Sequence, residues 1–71
     1  MRVLEIKLNE KEHIDLCDLL KVADLCPSAG VAKHIIANQE VKVDGQVETR
    51  KRCKIRKNQV VNYDGHEIKV I

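Results

Sequence analysis

The chain has 71 residues, enough for one small domain and no more. Tyr63 is its only aromatic residue, so the core has to be aliphatic, and one tyrosine makes a poor platform for stacking single-stranded bases. The net charge is only +2, but it is uneven: −2 over residues 1–32, +5 over 33–57 and −1 over 58–71. A positive charge confined to the middle of the chain points to an anionic partner.

The three cysteines, Cys17, Cys26 and Cys53, form no C-x-x-C pair, which excludes a zinc knuckle or a thioredoxin-like motif. They read as free thiols in a reducing compartment. MRVLEIKLNEKE lacks the apolar core of a signal peptide, and no apolar run approaches the roughly 18–20 residues that span a membrane. The expectation is a cytoplasmic protein, complete as written, with no membrane contact.

In chain order, Val3 to Leu8 alternates with Leu4, Ile6 and Leu8 on one side, which predicts a strand. Asn9 to His13 is a polar connection. Ile14 to Ala23 predicts a helix whose Leu16, Leu19, Leu20 and Ala23 share a face. Asp15 and Asp18 suit its positive N-terminal end, and Lys21 suits its last turns. Pro27 breaks the pattern. Ser28 is the expected N-cap of a second helix, Ala29 to Asn38, burying Ala32, Ile35 and Ile36. From Glu40 the period changes to two. Val41 and Val43 flank Lys42, Asp44-Gly45 signals a type I′ turn, and Gln46 to Glu48 returns. Val60, Val61 and Tyr63 predict another strand, Asp64-Gly65 a second hairpin turn, and His66 to Ile71 the last strand. No linker, repeat or low-complexity segment divides the chain, so residues 1–71 form a single domain.

Between the hairpins lies ETRKRCKIRK, residues 48–57, in which six of ten residues are Lys or Arg. Cys53 and Ile55 alternate as on a half-buried strand, which would set Arg52, Lys54 and Arg56 outward in a row about 6.5–7 Å apart. That spacing approximates the distance between neighbouring phosphates on a nucleic-acid strand. Arg50, Arg52 and Arg56 are better suited than lysines to bidentate phosphate contacts.

The segment IDLCDLLKVADLCPSAGVAKHIIANQEVKVDGQVETRKRCKIRKNQVV resembles the alpha-L RNA-binding domain of S-four-type ribosomal proteins, and above all its small stand-alone bacterial members. The most specific pieces are Leu19-Leu20-Lys21, Ser28 to Lys33, Val41 to Gly45 and Glu48 to Arg52. The resemblance implies an α+β fold in which two packed helices, the alpha-L motif, sit on a small, mostly antiparallel sheet. Residues 1–13 then form an N-terminal strand and connection, and 14–71 the motif proper. It also implies non-enzymatic binding of structured RNA, ribosomal or transfer RNA, in translation. Carried over by position, Ser28, Lys33 and His34 line the second-helix edge. Lys42, Asp44 and Gly45 lie on the hairpin, and Arg50, Lys51, Arg52, Lys54 and Arg56 form a basic extension. Two departures stand out. Gln39 occupies the place of a helix-closing glycine, which leaves Asn38 as the expected left-handed cap. Ala29, Gly30 and Val31 stand where ribosomal members carry arginines, so the hairpin and basic run have to supply more of the charge.

Two other readings compete. A protein-interaction adaptor would use an exposed sheet edge or the first helix to recruit a ribosomal or RNA-processing protein. A redox or nucleophilic site would need Cys53 activated by its cationic neighbours. No histidine or acid is spaced to act as its base, so Cys53 reads as an inward-facing packing residue. His13, His34 and His66 share no metal-ligand spacing, and no nucleophile or phosphate-loop motif is present. Neither catalytic residues, metal nor cofactor is expected, and the protein is expected to be a monomer.

Overall fold

The computed structural model describes residues 2–8 and 10–71, with residue 2 described through its backbone alone. Asn9, placed above at the start of the polar connection, lies outside the described residues. The elements are β1 (Arg2–Ile6), β2 (Ile14–Asp15), α1 (Leu16–Val22), α2 (Ala29–Ala37), β3 (Val41–Val43), β4 (Gln46–Val47), β5 (Lys54–Ile55), β6 (Val60–Tyr63) and β7 (His66–Val70).

Five strands form one sheet in the order β1-β7-β6-β3-β4. All its pairings are antiparallel except β1 with β7, which run parallel with Leu4 opposite Ile68. The sheet is therefore mixed, and mostly antiparallel as expected. Val41, Val61, Ile68 and Val70 bury one face, against Leu16, Leu19, Leu20, Ala32 and Ile36 of the helix pair. On the opposite face Lys42 and Lys69 are exposed. Period two along each strand separates the two sets.

The two hairpin turns form as their sequences predict. Asp44 and Gly45 have φ of 51° and 84°, and Asp64 and Gly65 have 48° and 78°. Positive φ at both central residues is what a type I′ turn requires.

The helices differ from expectation at their ends. Residues 14–15 leave the helix to form β2, pairing antiparallel with β5 through Ile14–Ile55 and Asp15–Lys54. This two-stranded ribbon replaces the predicted first turn of α1. Ser28 caps α2 as expected, its Oγ accepting from the Val31 N–H at 3.3 Å. The left-handed residue after α2 is Gln39 (φ 64°), not Asn38 (φ −86°). Gln39 N–H donates to the Ile36 carbonyl at 3.1 Å, and Glu40 N–H to that of Ile35 at 3.3 Å. That is a Schellman closure, whose geometry places the positive φ one residue beyond the cap. α1 ends the same way, with Asp24 at φ 63°, Asp24 N–H on Lys21 and Leu25 N–H on Leu20. Neither closure uses glycine, so each carries the steric cost of an L-residue in the left-handed region.

Candidate functional site

The basic run is ordered, but it is not one strand. Only Lys54 and Ile55 are extended and paired. Residues 50–53 form a turn closed by Cys53 N–H on the Arg50 carbonyl at 3.2 Å, and 56–59 a second closed by Gln59 N–H on that of Arg56 at 3.3 Å. The even row of Arg52, Lys54 and Arg56 along a strand therefore does not form. The reason lies at the start of α1. Asp15, its N-cap, makes no side-chain capping bond. Instead Leu16 N–H donates to the Cys53 carbonyl at 2.9 Å, and Cys17 N–H to the Lys51 carbonyl at 3.2 Å. The turn thus supplies acceptors that helix N-termini otherwise lack, and it has to curl to do so.

Three further links fix the run to the fold. Ile55 is fully buried in the core, and Cys53 packs half-buried against it. Arg52 Nε lies 3.4 Å from Asp15 Oδ2. On the far side, Arg56 N–H donates to Gln59 Oε1 at 2.6 Å, and Gln59 Nε2 donates to Asp44 Oδ2 at 3.2 Å. Asp44 Oδ1 also accepts from Val60 N–H at 3.0 Å. This chain of bonds ties the β3–β4 turn to the Arg56–Gln59 turn of the basic run.

Its cations fall into two classes. Arg50 grips Glu48 in a two-pronged pair, Nε to Oε1 at 3.0 Å and Nη2 to Oε2 at 3.1 Å, while its backbone N–H donates to the same Oε1. The guanidinium holds the Glu48 carboxyl down at about 2. Arg50 and Arg52 are each paired, although their side chains remain 77% and 79% exposed. Lys42, Lys51, Lys54, Arg56 and Lys57 are exposed and make no ion pair among the described residues. Lys57 was not among the residues singled out from sequence. It lies beside Arg56 in a shallow depression shared with Glu10, Lys11 and Glu12, and its membership in the basic run was the available signal.

The remaining candidates are placed as follows. Lys33 and His34 stand exposed on α2, on the side away from Ala32, Ile35 and Ile36. Ser28 Oγ is occupied as a cap, and both Asp44 carboxylate oxygens accept protein hydrogen bonds. Gly45 has open space around it, so its positive φ, not crowding, accounts for the residue. Cys53 is not activated: burial, and then the neighbouring Glu48 carboxylate, raise its thiol pKa. Cys17 and Cys26 are buried free thiols. Among the described residues no group of three His, Cys, Asp or Glu side chains is placed to hold a metal, and no helix is long and apolar enough to cross a membrane.

A family model described as the S4 domain matches residues 6–71. YbcJ of Escherichia coli strain K12 is 50% identical over 64 residues, covering 90% of this chain and 91% of its own. YbcJ of Shigella flexneri matches to the same extent. The solution structure of E. coli YbcJ, described as revealing an alfaL motif involved in RNA-binding, superposes with a TM-score of 0.76 at 45% identity, covering all of this chain and 90% of that one. The crystal structure of ribosomal protein S4e from Thermoplasma acidophilum has a TM-score of 0.67 at 24% identity, over 82% of this chain and 31% of that one. This second likeness is one of fold alone.

Proposed function

The chain belongs to the S4 domain family, and on that premise we propose that it binds structured RNA, ribosomal or transfer RNA, without catalysing a reaction on it. The observation that carries this reading is the set of exposed cations Lys42, Lys51, Lys54, Arg56 and Lys57, which have no carboxylate partner among the described residues and stand on backbone tied to the fold. Such a surface meets phosphates with little ordering cost, and phosphate contacts give most of the affinity for RNA. Lys33 and His34 extend it along α2. Arg50 and Arg52 border it and hold its turn in shape. Ser28, Asp44 and Gly45 act as its scaffold.

The E. coli relative, with its alfaL motif involved in RNA-binding, supports the assignment. Selectivity comes from the spacing of the two turns against the RNA backbone, because A-form helices are recognised mainly by shape and by sugar and phosphate contacts. The buried and half-buried free thiols support a reducing, cytoplasmic setting.

Fluorescence anisotropy with a structured RNA tests the proposal. Lys54→Glu combined with Arg56→Glu lowers affinity sharply while the amide spectrum stays that of a folded domain. Neither residue has a carboxylate partner among the described residues, so the exchange acts on the RNA side. Unchanged affinity in that variant sinks the reading.

A further inference from the structure

Three side-chain hydrogen bonds run in a relay between the β3–β4 turn and the Arg56–Gln59 turn, and its two ends fix its direction. Val60 N–H donates to Asp44 Oδ1 at 3.0 Å, and Arg56 N–H to Gln59 Oε1 at 2.6 Å. Both donors belong to the backbone, so each end of the relay has to present an acceptor. In the middle Gln59 Nε2 donates to Asp44 Oδ2 at 3.2 Å. The relay therefore needs one acid and one amide. Two acids would set acceptor against acceptor in the middle, and two amides would leave a donor facing a donor at one contact.

The turn itself does not ask for an acid at position 44, because Asn-Gly serves a type I′ hairpin as well as Asp-Gly. Nor does the backbone join the two turns. Asp44 N–H donates to the Val60 carbonyl at 2.8 Å, which hangs the first turn on β6. Asn58 N–H donates to the Val70 carbonyl at 2.8 Å, and Val70 N–H to that of Gln59 at 3.1 Å, which hangs the second on β7. Among the described residues Gln59 is the one side chain that bonds to both turns. It is half-buried, so water competes less for its amide than at an exposed site.

We propose that Gln59 is a positioning residue for RNA, with Asp44 as its partner: their relay sets the distance between the two turns and so selects RNA whose backbone matches that spacing. The proposal rests on the RNA-binding reading above and assigns its selectivity to two residues that need not touch RNA. A folded RNA presents phosphates at fixed separations, so turns free to drift have to be ordered again on binding. A flexible single strand adapts its own spacing and makes no such demand.

The test is a double-mutant cycle on the full chain, read by anisotropy with a structured RNA hairpin at fixed salt. Asp44→Asn removes a negative charge and Gln59→Glu adds one. Charge alone would tighten binding in the first and weaken it in the second. The relay predicts that both weaken it, each by roughly 2- to 12-fold, the cost of ordering one freed contact on binding. The double variant carries the native charge and remakes every bond with donor and acceptor exchanged, so it should bind within about twofold of the native protein. Gln59→Met, of similar length and uncharged, should lose the same factor on the hairpin and move the Arg56 amide proton upfield. On a single strand of equal length it should lose no more than about twofold. It decides the matter even if a charged variant does not fold. Opposite effects of the two single variants, with the double variant at their sum, overturn the relay and leave RNA binding standing. Unchanged affinity in Gln59→Met does the same, and equal losses on both RNAs refute the selection. If the native protein does not bind the hairpin at low salt, both readings fall.

Discussion

Glu48→Gln should strengthen RNA binding, although the residue need not touch RNA. At neutral pH its carboxylate is fully ionised, with a pKa of about 2, and it occupies both prongs of Arg50 at 3.0 and 3.1 Å. A guanidinium held in that fork is poorly placed to replace a counterion on a phosphate. Glutamine keeps an oxygen for the Arg50 backbone N–H and gives up the charge, so the turn persists and the guanidinium is released. One additional phosphate contact steepens the log–log dependence of affinity on salt by about 0.9. Carried to 0.1 M salt, a slope increment of that size is worth about eightfold in affinity. The assay is anisotropy with a fixed structured RNA across a series of KCl concentrations. A double-mutant cycle sharpens it. Arg50→Gln should cost little in the native background and should erase the gain in the Glu48→Gln background. If the slope is unchanged by Glu48→Gln, or if Arg50→Gln weakens the native protein as much as Lys54→Gln does, the clamp reasoning is wrong.

Three further outcomes follow from the fold. Ile55 is fully buried and anchors the basic run, so Ile55→Ala should destabilise the domain by about 2–5 kcal/mol in urea unfolding; a loss below about 1 kcal/mol would mean the run is only loosely attached. Gln39→Gly should raise stability by up to about 1 kcal/mol, because glycine accepts the positive φ without steric cost; a decrease would show that the Gln39 side chain contributes contacts outweighing the strain. The Glu48 carboxyl should titrate near 2 by NMR instead of near its ordinary 4.5. Because its folded pKa is lowered, its contribution to stability is complete above about pH 4.5 and is lost as pH falls toward 2. Titration at the ordinary value would mean the Arg50 fork is open in solution.

The sequence made both hairpin turns legible, because Asp-Gly is nearly a signature for positive φ at two adjacent residues. It also made α2 legible, through a Ser cap and three apolar residues at helical spacing. What it hid was set by partners far along the chain. Ile14 and Asp15 carry a helical pattern, yet residues 54–55 draw them into a ribbon. Arg52 and Arg56 alternate as on a strand, yet the bare N–H groups of α1 pull the Lys51 and Cys53 carbonyls into a turn. The Arg52–Asp15 pair spans a separation of 37 residues and so could not be read from local spacing. The Arg50–Glu48 pair is local, only two residues apart, but the positive charges of the run do not by themselves reveal it. Cys53 and Ile55 nevertheless face inward, so the period-two reading fixed the run's orientation while overstating its length. Gln39 shows a different limit. Helix closure depends on which carbonyls are still unpaired, and residue identity alone placed the left-handed position one residue too early.

The parallel pairing of β1 with β7 has a mechanical consequence. Arg2 lies opposite His66 and Ile6 opposite Val70, and the ladder continues through Ile71 N–H on the Ile6 carbonyl and Leu8 N–H on the Ile71 carbonyl. Traction applied at residues 2 and 71 therefore acts along the two strands in opposite senses. It slides them past each other and loads the hydrogen bonds together, whereas an antiparallel hairpin pulled from its open end yields one bond at a time. An 8.1 kDa domain, too small to bury a large core, is thus built so that force along the chain meets its stiffest arrangement.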